Sequence, residues 1–270
     1  MNTLDDNTFA PKTRLFLILF FLGLLGVFSI LLIDLSALVA LIPHTTSDIP
    51  AITPALKLLS LIQPSLLLAV AVVIGVALAR RVGLSAPAAE ALARGGNVFT
   101  ALRSQLAPGV AGGLAGGLSI VLISLLARPF LTASAIDRIG EFSKVLPIPT
   151  RLLYGGITEE LLLRWGFMTL IVWAASRVLQ KGRNAPNRAH FAGAILLSSL
   201  VFGAGHLPVA YMLLPDSFSP ALVLFVIFAN SAFGVIAGYL YWRRGLESAM
   251  IAHVLCHLVL ALASLAGAYF

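Results

Sequence analysis

Seven apolar runs, each long enough to cross the roughly 30 Å of hydrocarbon in a bilayer, constrain this chain more than any other feature. They fall at about 15–42, 54–79, 107–127, 150–178, 191–214, 220–242 and 246–268. In lipid such a run has to satisfy its own backbone, so it folds as a helix. The runs are continuous rather than alternating, which argues against the strands of a membrane barrel. The expected fold class is all-α: a polytopic transmembrane helical bundle of about seven spans, six to eight being the range. Polar residues in the fourth and fifth runs, and a stretch at 128–151 able to hide another span, set that range. The first run is too long for a signal-peptide core and is expected to remain as a helix.

Composition agrees. Of 270 residues 59% are apolar and 11% charged, against about half and a quarter in soluble domains. With no long polar segment, a single membrane domain over 1–270 is expected, in contact with the lipid bilayer. The net charge of +7 does not mark a nucleic-acid binder, because aromatic residues are not interleaved with the basic ones. Those basic residues sit instead in short connections: Lys12 and Arg14 before the first run, and Arg80, Arg81, Arg94 and Arg103 after the second. Further along come Arg177, Lys181, Arg183 and Arg188 after the fourth run, and Arg243 and Arg244 after the sixth. Connections around Pro43–Thr53 and Pro215–Pro220 carry none. The positive-inside rule then gives a cytoplasmic N-terminus and an external C-terminus, in a plasma (inner) membrane expected to be bacterial. The connection 128–151 objects, with Arg128, Arg138, Lys144 and Arg151, and reads as an interfacial amphipathic helix or an extra span.

Glycines repeat every four residues at Gly109, Gly113 and Gly117, at Gly112 and Gly116, and at Gly234 and Gly238. Small residues at this spacing let helix backbones approach closely in lipid. No strand precedes them to make a phosphate loop. The single cysteine, Cys256, forms no internal disulfide and, flanked by apolar residues, reads as inert.

Ionisable groups inside spans are costly and mark functional sites by default. The fourth run contains Glu159, Glu160 and Arg164. Glu160 and Arg164, four apart, share a helix face and pair easily. Glu159 is rotated about 100° away, and no partner explains it. The fifth run adds His206; the seventh adds His253 and His257 on one face, while His44 and His190 lie near span ends. At about 1.5 Å per residue, Glu159 and His206 lie ~5–8 Å to the outer side of the midplane, His253 ~6 Å to the inner side, and His257 near the centre. A moderate tilt brings them to one cavity. Other polar groups read differently: Asp34 at the far interface, Glu247 at a favourable helix start, Asn230 and Ser231 in hydrogen bonds between helices.

Glutamate and histidine around a water are general-base machinery, and a further histidine can stabilise the oxyanion formed when water adds to an amide. Glu-Glu-x-x-x-Arg, then Phe-x-x-x-His, then His-x-x-x-His, in that order on late apolar helices, resembles the CPBP family. That family groups CAAX prenyl endopeptidases of the Ras-converting type with bacterial bacteriocin-processing and self-immunity proteins. The resemblance covers roughly 150–260, the core that carries the motifs. It implies an intramembrane endopeptidase acting on a peptide or membrane-protein substrate, without cofactor. In it Glu159 activates water with His206 as partner, Glu160 and Arg164 form a supporting pair, and His253 belongs to the oxyanion-stabilising pair. His257 stands where the family commonly has asparagine, Leu163 where an aromatic commonly precedes the arginine, and Trp165 where glycine commonly follows it.

Two alternatives share these residues. His206, His253 and a glutamate would bind Zn²⁺ with one position left for water, although His-Glu-x-x-His is absent. A non-catalytic immunity or interaction protein would use the same groups as a buried polar network. A proton-coupled transporter fits least, since the polar groups are confined to the second half and no internal repeat is evident.

Overall fold

The computed structural model describes residues 10–42, 53–180 and 185–269. His44, Lys181, Arg183 and most of the first connection lie outside the described residues. Among those described there is no strand, and seven helical spans are long and apolar enough to cross a membrane. They run Lys12–Leu32, Pro54–Val82, Val98–Phe130, Ile148–Leu179, Arg188–Leu213, Pro220–Arg243 and Leu246–Leu265. Their outer faces carry Phe21, Leu66, Leu118, Leu122, Leu200 and Phe228, each more than half exposed. In water such a surface would drive aggregation; in lipid it is the solvated face.

Local sequence sets most of the starts. Thr53, Asn97, Asn187 and Ser219 each accept a hydrogen bond from the backbone N–H three residues on, at Leu56, Thr100, His190 and Leu222. These caps satisfy donors that the first helical turn leaves orphaned. His190 completes its cap by accepting from the Asn187 backbone N–H, so its role is structural. The third span begins at Val98, nine residues before its apolar core, because the Asn97 cap starts the helix upstream and the helix runs on through Pro108. Arg103 therefore lies within the span rather than in a connection. The first span ends at Leu32, short of the expected 42. Asp34 stops it by capping a separate short helix, Leu35–Ala40, through Ser36 and Ala37 N–H at 2.9 and 3.1 Å.

The stretch 128–151 holds no eighth span. Ala133–Val145 is a 13-residue amphipathic helix, too short to cross about 30 Å. Arg138 bonds back to the Leu41 carbonyl at 2.7 Å, and Arg151 to the Leu146 carbonyl at 3.0 Å.

The two glycine series on the third span serve different neighbours. A side chain at Gly109, Gly113 or Gly117 would strike the seventh span at Ile251, Leu255 or Val259. One at Gly112 or Gly116 would strike Leu240 or Phe233 on the sixth. Gly234 and Gly238 admit Ser199 and Ile195 of the fifth. Ser231 bonds across to the Ser199 carbonyl at 2.9 Å, whereas Asn230 Nδ2 donates to the Val226 carbonyl of its own helix at 2.8 Å. Glu247 accepts from Ala88 and Ala89 N–H, both at 2.9 Å, capping the short helix Pro87–Ala93 rather than only its own.

The fourth span is central. Its first half packs against the first and seventh spans and its second half against the second and fifth. Thr158 and Thr150 tie it to the Gly23 and Ser29 carbonyls of the first span at 2.7 and 2.8 Å.

Candidate active site

Within the fourth span the backbone departs from the α-helix: Arg151–Glu159 and Leu161–Met168 are π-helical. Such i→i+5 segments are rare and concentrate at functional sites, because the wider turn redirects side chains. Here Glu159 and Glu160 part company. Glu160 is fully buried, while 21% of the Glu159 side chain is exposed. Gly155 and Gly156 let the seventh span approach, since a side chain there would meet His257 or Val254.

Glu160 is held from two sides. One oxygen lies 3.3 Å from Arg164 Nε, and the other 2.8 Å from His253 Nδ1. Arg164, also fully buried, donates to the Gly234 carbonyl at 3.1 Å and lies 5.0 Å from the centre of the Phe202 ring. A buried ion pair needs further hydrogen bonds to hold its charges; His253 and the Gly234 carbonyl supply two, while Arg164 Nη1 is buried with no hydrogen-bond partner among the described residues. The pair thus explains more than each other's presence: it orients His253. An ionised carboxylate only accepts, so Nδ1 carries the hydrogen and Nε2 turns outward. That Nε2 lies 4.0 Å from Glu159 Oε2.

Phe202 and Phe233 wall the His253 ring at 5.7 and 4.3 Å between centres, and the His257 ring stacks on it at 4.9 Å and 13°. His257 Nε2 is buried and makes no hydrogen bond among the described residues. His206 stands where the fifth span breaks, between helices Arg188–Gly205 and Leu207–Leu213, with Pro208 opening the second. Its Nδ1 lies 2.8 Å from the Phe202 carbonyl. A carbonyl only accepts, so Nδ1 is the donor and Nε2 is left with its lone pair.

Glu159, His206, His253 and His257 line one cavity of about 540 Å³. Its other walls are largely apolar, from Ile30, Ile120, Phe142, Leu213, Phe225 and Val226. Glu160 and Arg164 stand behind it. Cys256 is buried in the same wall. Arg138, Arg151, Tyr154 and Asn230 also line the cavity, and the sequence reading nominated none of them. The Gly155-Gly156 doublet, within a span rich in polar residues, is the signal that could have drawn attention to that end. Among the described residues no three histidine, cysteine, aspartate or glutamate side chains converge as a metal-binding group.

Trp165, fully buried, occupies the position where glycine is common, and Gly75 on the second span makes room for its indole. The larger residue is accommodated by a smaller neighbour.

Fold and cavity together define a multi-pass helical membrane protein whose late spans converge on a glutamate–histidine cluster. Residues 141–259 match the family described as Type II CAAX prenyl endopeptidase Rce1-like. The match covers less than half of the chain, and over this region it supports a likeness to the CPBP, or CAAX-protease, family. All six site residues read from the sequence fall inside the matched stretch. No curated protein and no solved structure matches the chain.

Proposed function

We propose that this protein is an intramembrane endopeptidase that hydrolyses a peptide bond with water activated by Glu159 and His206. The observation that carries this reading is the divergence of two adjacent carboxylates: Glu160 is fixed in a buried network, while Glu159 faces the cavity beside three histidines. Glu159 takes a proton from a water whose other hydrogen is accepted by His206 Nε2. The water oxygen then adds to the scissile carbonyl. In its imidazolium form His253 presents Nε2–H to the oxygen that gains charge, and His257 Nε2, when protonated, is a second donor beside it. Return of the proton from Glu159 to the departing nitrogen breaks the C–N bond, and the proton left on the new carboxyl group passes to His206 Nε2, leaving a new carboxylate and a new amine. General-base assistance of this kind contributes about 10²–10⁴-fold and an oxyanion donor about 10²–10³-fold.

The substrate is a peptide or a membrane protein with an apolar segment, as the cavity walls require. The site lies in a multi-pass protein of a plasma membrane, which we place in a bacterium with the N-terminus in the cytoplasm. No step in this scheme needs a metal ion. The test is cleavage of a mixture of apolar peptides by purified protein in detergent, read by mass spectrometry, for wild type and His206→Ala with and without a strong chelator. We expect cleavage by wild type that survives chelation and falls about 10²-fold or more in His206→Ala. Loss of wild-type cleavage on chelation, restored by Zn²⁺, replaces this mechanism with a zinc one. Equal cleavage by both proteins removes His206 from it.

A further inference from the structure

A second cavity, of about 580 Å³, opens between the third and sixth spans and shares no lining residue with the glutamate–histidine site. Its walls are largely apolar: Pro108 and Ala111 from the third span, Val235, Ile236, Tyr239 and Leu240 from the sixth. Arg243 and Arg244 close one end, and both are exposed. Val235 lies eight residues before Arg243, so the groove runs ~12 Å along the helix axis from the arginines toward the middle of the bilayer. An apolar furrow facing hydrocarbon offers water no polar partners and suits an alkyl chain. The charged end has the marks of a membrane–water interface. Tyr239 and Trp242 meet edge to face with ring centres 6.2 Å apart, and Trp242 stacks on Phe191 at 5.0 Å and 14°. The Arg243 guanidinium lies 5.2 Å from the centre of the Trp242 ring. Aromatic rings of this kind sit at headgroup level. Among the described residues no carboxylate oxygen lies within 4.0 Å of Arg243 or Arg244. Glu247, one turn on, is turned instead onto the Ala88 and Ala89 N–H groups.

We propose that this groove is a binding site for an anionic phospholipid, with one acyl chain along Val235, Ile236 and Leu240 and the headgroup phosphate held by Arg243 and Arg244. A guanidinium fork matches phosphate in charge and shape, and basic residues at the end of a groove between spans attract anionic headgroups. A second copy of the chain fits less well. Related by an axis along the membrane normal, it would set its own Arg243 and Arg244 at the same depth, like charge against like. The site stands apart from the peptidase reading, since no groove residue enters that chemistry.

The test is native mass spectrometry of the full-length protein in detergent. It is titrated with dioleoylphosphatidylglycerol or with dioleoylphosphatidylcholine, which has the same chains and no net charge. We expect phosphatidylglycerol to bind about tenfold tighter or more, the scale of two basic residues near a headgroup. Arg243→Gln/Arg244→Gln collapses that gap, and Arg244→Gln alone, which leaves the Arg243–Trp242 contact in place, narrows it. Ala111→Phe, which fills the groove from an exposed position, weakens binding of both lipids. Lys12→Gln/Arg14→Gln removes equal charge at the start of the first span and keeps the gap. Thermal unfolding of each variant identifies any that fail to fold. Equal binding of the two lipids, a gap that survives the double arginine variant or falls as far in the Lys12/Arg14 variant, or unchanged binding by Ala111→Phe overturns the site. So does displacement of phosphatidylglycerol by inorganic phosphate, which reassigns the anion to a free ion. A dimer that forms only as lipid leaves gives the groove to a second copy and overturns it as well.

Discussion

At the scale of single residues, adjacent side chains of one chemical type carry different tasks because their surroundings differ. Glu160 sits between Arg164 and His253 with no exposure. Removing its charge strands a buried guanidinium, which costs about 3–5 kcal/mol when a buried pair is broken. Glu160→Gln is therefore expected to unfold at markedly lower denaturant than wild type, measured by circular dichroism in detergent. His257 stacks on His253 with an unused Nε2, where the family commonly has asparagine. An asparagine amide also donates, so His257→Asn should retain cleavage within about tenfold of wild type. His257→Leu, which keeps bulk and loses the donor, should lose about 10²-fold. If leucine serves as well as asparagine, the residue is packing and takes no part in the chemistry.

At the scale of elements, close approach and helix geometry decide the site. Gly75 faces Trp165, so Gly75→Ala overpacks this contact and should cost about 1–3 kcal/mol. Trp165→Ala in the same chain should recover most of that loss in thermal unfolding, whereas simple addition of the two effects argues that they do not touch. The spans themselves were legible in the sequence, since hydropathy over some 20 residues is a strong signal. So were the glycine series, because packing in lipid selects small residues at fixed spacing. The break at His206 and the shortened first span were not foreseen, since proline and capping act on single residues inside runs that are apolar on average. The π-helical stretch of the fourth span was invisible for a related reason. It is packed among four other spans, and a mostly apolar stretch has no periodicity sharp enough to reveal a changed turn. Arg138 and Arg151 were read only as loop charges, because sequence places them near span ends and says nothing of the cavity into which tertiary packing turns them.

At the scale of the whole molecule, one network of spans encloses a polar cluster in an apolar wall while presenting apolar surface outward. The chain holds one cysteine, and Cys256 is 2% exposed in that wall. A bulky, membrane-impermeant maleimide should leave native protein unlabelled and modify it fully after denaturation. Rapid labelling of the native form would show the cavity wall open to water. The motifs were recognisable before the structure because three of them occur in order on late helices, but their convergence needed the fifth-span break and the fourth-span geometry.

The central claim is the division of labour between Glu159 and Glu160, and paired measurements of cleavage and stability on Glu159→Gln and Glu160→Gln test it most directly. The account predicts that Glu159→Gln loses cleavage by about 10²-fold or more while unfolding as wild type does, and that Glu160→Gln loses stability. Full cleavage by a folded Glu159→Gln protein would contradict it.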